Sequence, residues 1–396
     1  MSKDYHVVGC LALLALTLFV LGKFTQPGFN SVLTLEKGGR LALVLEDEDF
    51  LTYFSGQSWV FRQQTLYENG YAEYPPLGLM YINWSRFVTS DFSTYANFLR
   101  LSNILFFVLA GWLTWRLGSL VNPQAPVAWW LWLLPSAFYF SLNYFDIFPV
   151  TLVLASLYFI LRGHSRLGWF IYGLSIMAKF YPIFLLPLYI ALTSRRPGQL
   201  KNDFIYALAA VLGLNIGAAL SGGWAAVIMP LGVQLSRTAE PGSMLYLLFA
   251  VWPTLVDWRL IYHSLIQIGQ LFLPMIWLWT NIIKNIKLSL KTQLILSALT
   301  LFIIINLQPF YSNQFWLWVL PFIILVLPKS LVWVLIIYDV VNYFQFPISF
   351  QVWGRLNPIF FGGVAGVRVL VAALLIIVLW RQLPKKWWAL STSGII

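Results

Sequence analysis

Apolar runs recur along the whole chain, near 6–23, 99–116, 125–142, 147–162, 167–179, 181–194, 203–221, 258–281, 291–308, 313–328, 330–345 and 362–380. Each approaches the ~20 residues an α-helix needs to cross a bilayer, or falls short where a break interrupts it. Backbone in hydrocarbon must satisfy its own polar groups, so such runs fold as helices. They predict an all-α, polytopic membrane helical bundle of about twelve spans, forming one transmembrane domain over 1–396. Composition excludes the alternatives. Charged residues are 10% and hydrophobic residues 60%, against about 25% and 45–50% in soluble domains. Aromatic residues at 18% are too many for a solvated, disordered chain.

The net charge of +11 is explained by topology. With the N-terminus inside and the spans alternating, the basic groups Arg162 and Arg166, Arg195, Arg196 and Lys201, Lys284, Lys287 and Lys291, and Arg381, Lys385 and Lys386 all fall on one side. That is the positive-inside pattern, with both termini cytoplasmic. No basic, aromatic-interleaved soluble surface exists to bind nucleic acid. The first run, about Val7 to Leu21, follows Lys3 and lacks a small-residue cleavage site, so it reads as a retained signal-anchor helix. Cys10 is the single cysteine, which excludes an intramolecular disulfide and a thiolate metal cluster.

Two polar segments fall outside. The first, 23–97, carries the acidic run Glu46-Asp47-Glu48-Asp49 at the start of Phe50–Phe61, a stretch expected to lie on the membrane surface as an amphipathic helix. Pro75-Pro76 then opens Leu77–Val88, too short for a span and assigned to the interface. The second, 221–257, is broken by Gly222, Gly223, Pro230, Pro241, Gly242 and Pro253 and predicts loops with short re-entrant helices.

The ionisable residues within or beside the apolar runs are the candidates for chemistry. Crowded carboxylates in 46–49 raise one another's pKa toward the range of a general base; a solvated acidic helix start is the plainer alternative. Asp146, ahead of Pro149, suits a helix N-cap as well as a functional group. Lys179 lies deep in Ile176–Ile183, where an ammonium is costly and calls for an anionic partner; snorkelling to the outer interface is the alternative. Arg237, Arg259, Arg355 and Arg368 lie in or near the outer half and suit bidentate phosphate binding, although each alone, like Arg100, also fits an interfacial anchor. His6, His164 and His263 are scattered, so no His-based metal motif exists. Neither a Ser/His/Asp signature nor a Walker-type loop is present. Asn83-Trp84-Ser85 is a glycosylation sequon on the outer side. Trp129, Trp130, Trp132, Trp387 and Trp388 read as interfacial belt residues, while Tyr53, Tyr74 and Trp84 could stack on a sugar ring.

The order of these motifs resembles the GT-C superfamily of membrane glycosyltransferases that use polyprenyl-phosphate sugars. The chain looks most like the bacterial polyprenol-phosphate-mannose-dependent alpha-mannosyltransferases and the first mannosyltransferase of glycosylphosphatidylinositol synthesis. Four motifs carry the likeness. Asp47-Glu48-Asp49-Phe50 with Tyr53 is similar to the acidic motif of the first outer loop. Tyr74-Pro75-Pro76-Leu77 is similar to the Tyr-Pro-Pro-Leu element. Asp146, an apolar span, a basic turn and Lys179-Phe180-Tyr181-Pro182 follow in the family's order. Ser312-Asn313-Gln314-Phe315 with Trp318 and Pro321 is similar to the late Ser-Pro-Gln-Tyr segment, with Asn313 and Phe315 in place of Pro and Tyr.

The resemblance implies a GT-C-like fold whose outer loops carry short interfacial helices, and transfer of one sugar, by likeness mannose, from a polyprenyl-phosphate carrier to a glycolipid or glycan acceptor. It implies inversion in a single displacement with Asp49 as general base and Asp47 as second choice. Lys179, Arg237, Arg259 and Arg355 are expected at the donor phosphate, with Tyr53, Tyr74, Asp146 and Gln314 lining the site. Energy arrives with the donor, so no nucleotide and no obligatory cofactor is expected; Asp47 and Asp49 could hold a divalent metal. The expected setting is a prokaryotic plasma membrane with chemistry on its outer face and membrane lipids as surroundings. Sugar, acceptor and any protein partner stay open. Many spans with buried charges also suit a polytopic transporter or lipid-linked-sugar flippase, although no inverted repeat is present.

Overall fold

The structure, a computed structural model, describes residues 73–121, 128–193, 199–236, 288–308, 310–354 and 358–384, with shorter pieces among 9–14, 32–34, 40–42, 49–54, 242–247 and 268–279. These residues are almost wholly helical. The exception is a small antiparallel pair of strands in the segment 23–97, β1 (Val32–Thr34) and β2 (Arg40–Ala42), with Leu33 opposite Leu41. The all-α expectation omitted it, because three-residue strands leave almost no periodicity to detect.

Among the described residues five helical segments are long and apolar enough to cross a membrane, as befits an integral membrane protein: Phe92–Val121, Gln199–Gly222, Leu290–Leu307, Lys329–Phe350 and Phe360–Arg381. Three of them are the helices α2 (Phe92–Val121), α7 (Gln199–Gly222) and α9 (Leu290–Leu307). The fourth segment contains α11 (Val332–Tyr343), and the fifth lies within α12 (Pro358–Arg381). α2 is the longest, 30 residues or roughly 45 Å at about 1.5 Å per residue, and starts well before the apolar run near 99–116.

Elsewhere the expected spans are shorter or broken, and proline is the cause. α3 (Pro135–Asn143), with Pro135 in its first turn, and α4 (Ile147–Leu161) meet at a bend of 105°. α5 (Ser165–Ala178) ends at Lys179, whose backbone is extended at φ −160° and ψ 146°. Pro182 could not donate to the Ala178 carbonyl, so the helix cannot continue. A 3₁₀ turn, Tyr181–Leu185, leads into α6 (Leu186–Thr193). α8 (Ala225–Ser236) and α10 (Trp316–Val326) each hold an internal proline. The expected spans near 6–23 and 258–281 lie mostly outside the described residues.

α9 and α10 sit in the centre, buried nearly all round, against α2, α3, α4, α11 and α12. A second cluster joins described residues of the segment 23–97 to the bundle. It gathers Phe50, Tyr53, Tyr74, Leu79, Ile82, Tyr95, Phe145 and Phe148. Phe50 and Tyr53 are buried there inside the protein, unlike side chains resting on a membrane surface; residues 51, 52 and 55–61 of the expected amphipathic stretch lie outside the described residues. α1 (Pro76–Asn83) belongs to the same cluster, where Leu79 and Ile82 are buried. It touches the end of α5 so closely that a Cβ at Gly78 would lie 2.3 Å from the Ala178 carbonyl oxygen.

Polar side chains bind the bundle across long sequence distances. The Asp339 carboxylate accepts the Ser136 and Ala137 backbone N–H groups, at 2.8 and 3.0 Å, and the Trp316 indole N–H at 2.8 Å. It thereby caps α3, whose first N–H groups have no intrahelical acceptor. Asn342 joins the same layer, donating to the Ser136 hydroxyl at 2.6 Å and receiving Asn313 and Tyr311, each at 2.8 Å.

Candidate active site

Three chain breaks meet on one side of the core: the bend between α3 and α4, the end of α5, and the 3₁₀ turn Asn313–Phe315 that starts α10. Each leaves a polar side chain at the junction. Asp146 occupies the N-cap position of α4, yet its carboxylate caps nothing there. Its Oδ1 instead receives the Lys179 ammonium at 2.6 Å and the Trp318 indole N–H at 2.6 Å. Both ions are buried, Asp146 completely. Four aromatic rings surround the ammonium: Phe145 at 4.7 Å, Trp318 at 5.2 Å, Tyr74 at 5.4 Å and Phe315 at 5.5 Å from their centroids. Ring faces are negative, so they favour the cation that burial penalises. Trp318 is itself fixed between Tyr181, stacked at 4.4 Å, and Phe315, stacked at 4.1 Å.

Asp49, the described end of the acidic run, approaches this junction through Tyr53. The Tyr53 hydroxyl donates to Asp49 Oδ2 at 3.3 Å, and the Tyr53 ring stands edge-on to Tyr74 and Phe145, at 6.2 and 6.1 Å. Burial, then the neighbouring Tyr74 and Asp49, hold the Tyr53 phenol well above its usual range, so it remains a donor. The Asp49 charge acts on Lys179 as well as on Tyr53.

A cavity of about 440 Å³ opens beside the pair. Glu73, Tyr74, Lys179, Gln308 and Gln314 give it polar groups, whereas Ile183, Phe184, Leu231, Phe272 and Met275 line it with hydrocarbon. It is therefore amphipathic, with one ammonium among aromatic rings and a greasy flank. Asp49 and Asp146 are not among its lining residues: Asp146 is fully buried behind Lys179 and Trp318, whereas Asp49 is only half-buried.

The structure thus brings together Asp49, Tyr53, Tyr74, Asp146, Lys179 and Gln314. Asp47, Arg237, Arg259 and Arg355 lie outside the described residues. Arg368 is completely buried away from the cavity. It donates to Gln345, Asn306 and the Gly242 carbonyl, and stacks on Tyr311 at 3.4 Å. Arg100 is buried too, over the Phe50 ring at 5.0 Å, and is no interfacial anchor. Trp132 is a core residue whose indole N–H donates to Thr114 at 3.1 Å, not a belt residue. The sequon is closed: Asn83 is buried with its amide on the Leu79 carbonyl at 2.9 Å, and Ser85 is buried beside it. Among the described residues no group of three or more His, Cys, Asp or Glu side chains is placed to hold a metal.

Asp339 and Asn342 were passed over in the sequence. An intramembrane carboxylate was a signal for Asp339, but nothing in its neighbourhood points to α3. No protein-family model matches the chain, and no curated protein matches it.

Proposed function

We propose that this protein is a membrane glycosyltransferase with a GT-C-like fold of about twelve spans. It moves one sugar, by resemblance mannose, from a polyprenyl-phosphate carrier to a glycolipid or glycan acceptor on the outer face of a prokaryotic plasma membrane. The observation that carries this reading is the amphipathic cavity, whose wall holds the Lys179 ammonium among mostly apolar side chains. A lipid phosphate has that shape: one anionic group on an apolar tail.

In this reading the donor phosphate meets the Lys179 ammonium, and the tail follows Ile183, Phe184 and Leu231. The acceptor hydroxyl oxygen attacks the anomeric carbon from the opposite face, and the carbon–oxygen bond to phosphate breaks. The bonding pair leaves with the phosphate, whose growing charge the ammonium offsets. The acceptor comes from the half-buried Asp49 side rather than from within the cavity, and its hydroxyl proton passes to that carboxylate, which Tyr53 steadies. Tyr74 and Gln314 contact the sugar, and the apolar walls keep water from competing as acceptor. Arg237, Arg259 and Arg355, which lie outside the described residues, are the further cations that this reading assigns to the phosphate by resemblance.

The test is purified protein in lipid, incubated with a panel of polyprenyl-phosphate monosaccharides and a lipid extract, with products followed by mass spectrometry. Transfer is expected in the wild type, with loss of at least about a hundredfold in Asp49→Asn, the usual scale for removing a general base. Wild-type activity in a folded Asp49→Asn protein would exclude Asp49 as the base. Sugar-lipid flux into vesicles without covalent product would replace the transferase with a flippase.

A further inference from the structure

Asp146 stood among the expected substrate contacts, but its carboxylate is fully buried and absent from the cavity wall. Lys179, its partner, does line the cavity. An ammonium has three N–H donors. Among the described residues Lys179 spends one of them on Asp146, which leaves two for a ligand. The Asp146 Oδ1 atom is fixed in turn by the Trp318 indole N–H, and that ring is clamped between Tyr181 and Phe315. A lysine side chain has four rotatable bonds and loses much rotamer freedom when held. Here the loss is met in the folded protein before any ligand arrives.

We infer that Asp146 is a positioning residue that touches no substrate, and that the indole N–H of Trp318, whose ring also lines the cavity, serves the same end: together they hold the Lys179 ammonium at the cavity wall, with its remaining N–H groups ready for an anionic oxygen. The inference rests on the cavity being the donor site. It adds a carboxylate and an indole N–H whose whole effect on the ligand passes through the lysine. An Asp146 that contacted the sugar directly would behave differently, because its removal would matter with or without the lysine.

A double-mutant cycle decides the matter, using farnesyl phosphate binding to the full chain in detergent as the probe. Asp146→Asn and Lys179→Met are each expected to weaken binding by tenfold or more. Trp318→Phe, which keeps the ring and deletes the N–H, is expected to weaken it severalfold. On the Lys179→Met background, neither Asp146→Asn nor Trp318→Phe should weaken it further. Losses that multiply instead of coinciding would overturn the proposal, as would unchanged binding in Asp146→Asn. Should Asp146→Asn alone fail to fold, Trp318→Phe with and without Lys179→Met gives the same comparison. Sugar transfer is assayed on the same preparations. Coincident losses in a protein that transfers no sugar uphold this inference and refute the transferase. Active transfer with multiplying losses does the reverse.

Discussion

At the scale of single residues, the buried ion pair sets the strongest expectation. Removing one partner leaves the other charge uncompensated in a low-dielectric site, which typically costs about 3–5 kcal/mol. Lys179→Met is therefore expected to lower thermal stability in detergent markedly. Asp146→Asn combined with Lys179→Met should be more stable than Lys179→Met alone, since no orphan charge remains. A double variant no more stable than that single one would contradict this account. Lys179 was legible in the sequence because an ammonium in an apolar run is costly. Its partner was not, because Asp146 is 33 residues away and spacing does not say which helix ends meet. Asp146 looked like an N-cap and holds that backbone position, but its carboxylate is spent elsewhere.

At the scale of elements, the contact between α1 and α5 depends on the missing side chain of Gly78. A methyl group there would meet the Ala178 carbonyl, so Gly78→Ala should destabilise by about 1–3 kcal/mol, the usual cost of overpacking. Thermal unfolding reads the shift, and an unchanged midpoint would mean that α1 moves freely. The start of α2 carries a pH-dependent cap. Asp91 Oδ2 accepts the Thr94 backbone N–H at 2.8 Å, and this bond holds the Asp91 carboxyl below its usual range. A lowered folded-state pKa makes the cap fully stabilising above the unfolded value, and the contribution is lost as pH falls through the folded value. Protection of the Thr94 amide should therefore fade only as pH falls below the ordinary carboxylate range, and Asp91→Asn should flatten that dependence. The long helices were legible from length and hydropathy alone. The proline-broken ones were not, because an apolar run shows its composition and hides a 105° bend. The acidic segment misled for a related reason: Phe50 and Tyr53 suited a membrane surface, yet they meet Tyr74 and Phe145 inside the protein.

At the scale of the whole molecule, the basic clusters predict which surface faces the cytoplasm. Asp91 and His164 are both exposed and fall on opposite sides in that topology. With Cys10 replaced by Ala, an impermeant maleimide should label Asp91→Cys in intact cells and His164→Cys only after lysis. The reverse pattern would put the cavity on the cytoplasmic side. The buried polar layer has a further consequence, for biogenesis. The ribosome delivers α3 long before Asp339, the cap that lies 203 residues downstream, and Asp146 long before Trp318, 172 residues on. Nascent chains that stop before Asn313 must therefore leave the start of α3 without its acceptor, in a solvent that offers no water. Such stalled chains should stay open to protease at the bend between α3 and α4, and close only once Asn342 has emerged. Insertion of this protein is a circuit completed by its last third, and the translocation machinery has to shelter the first half until then.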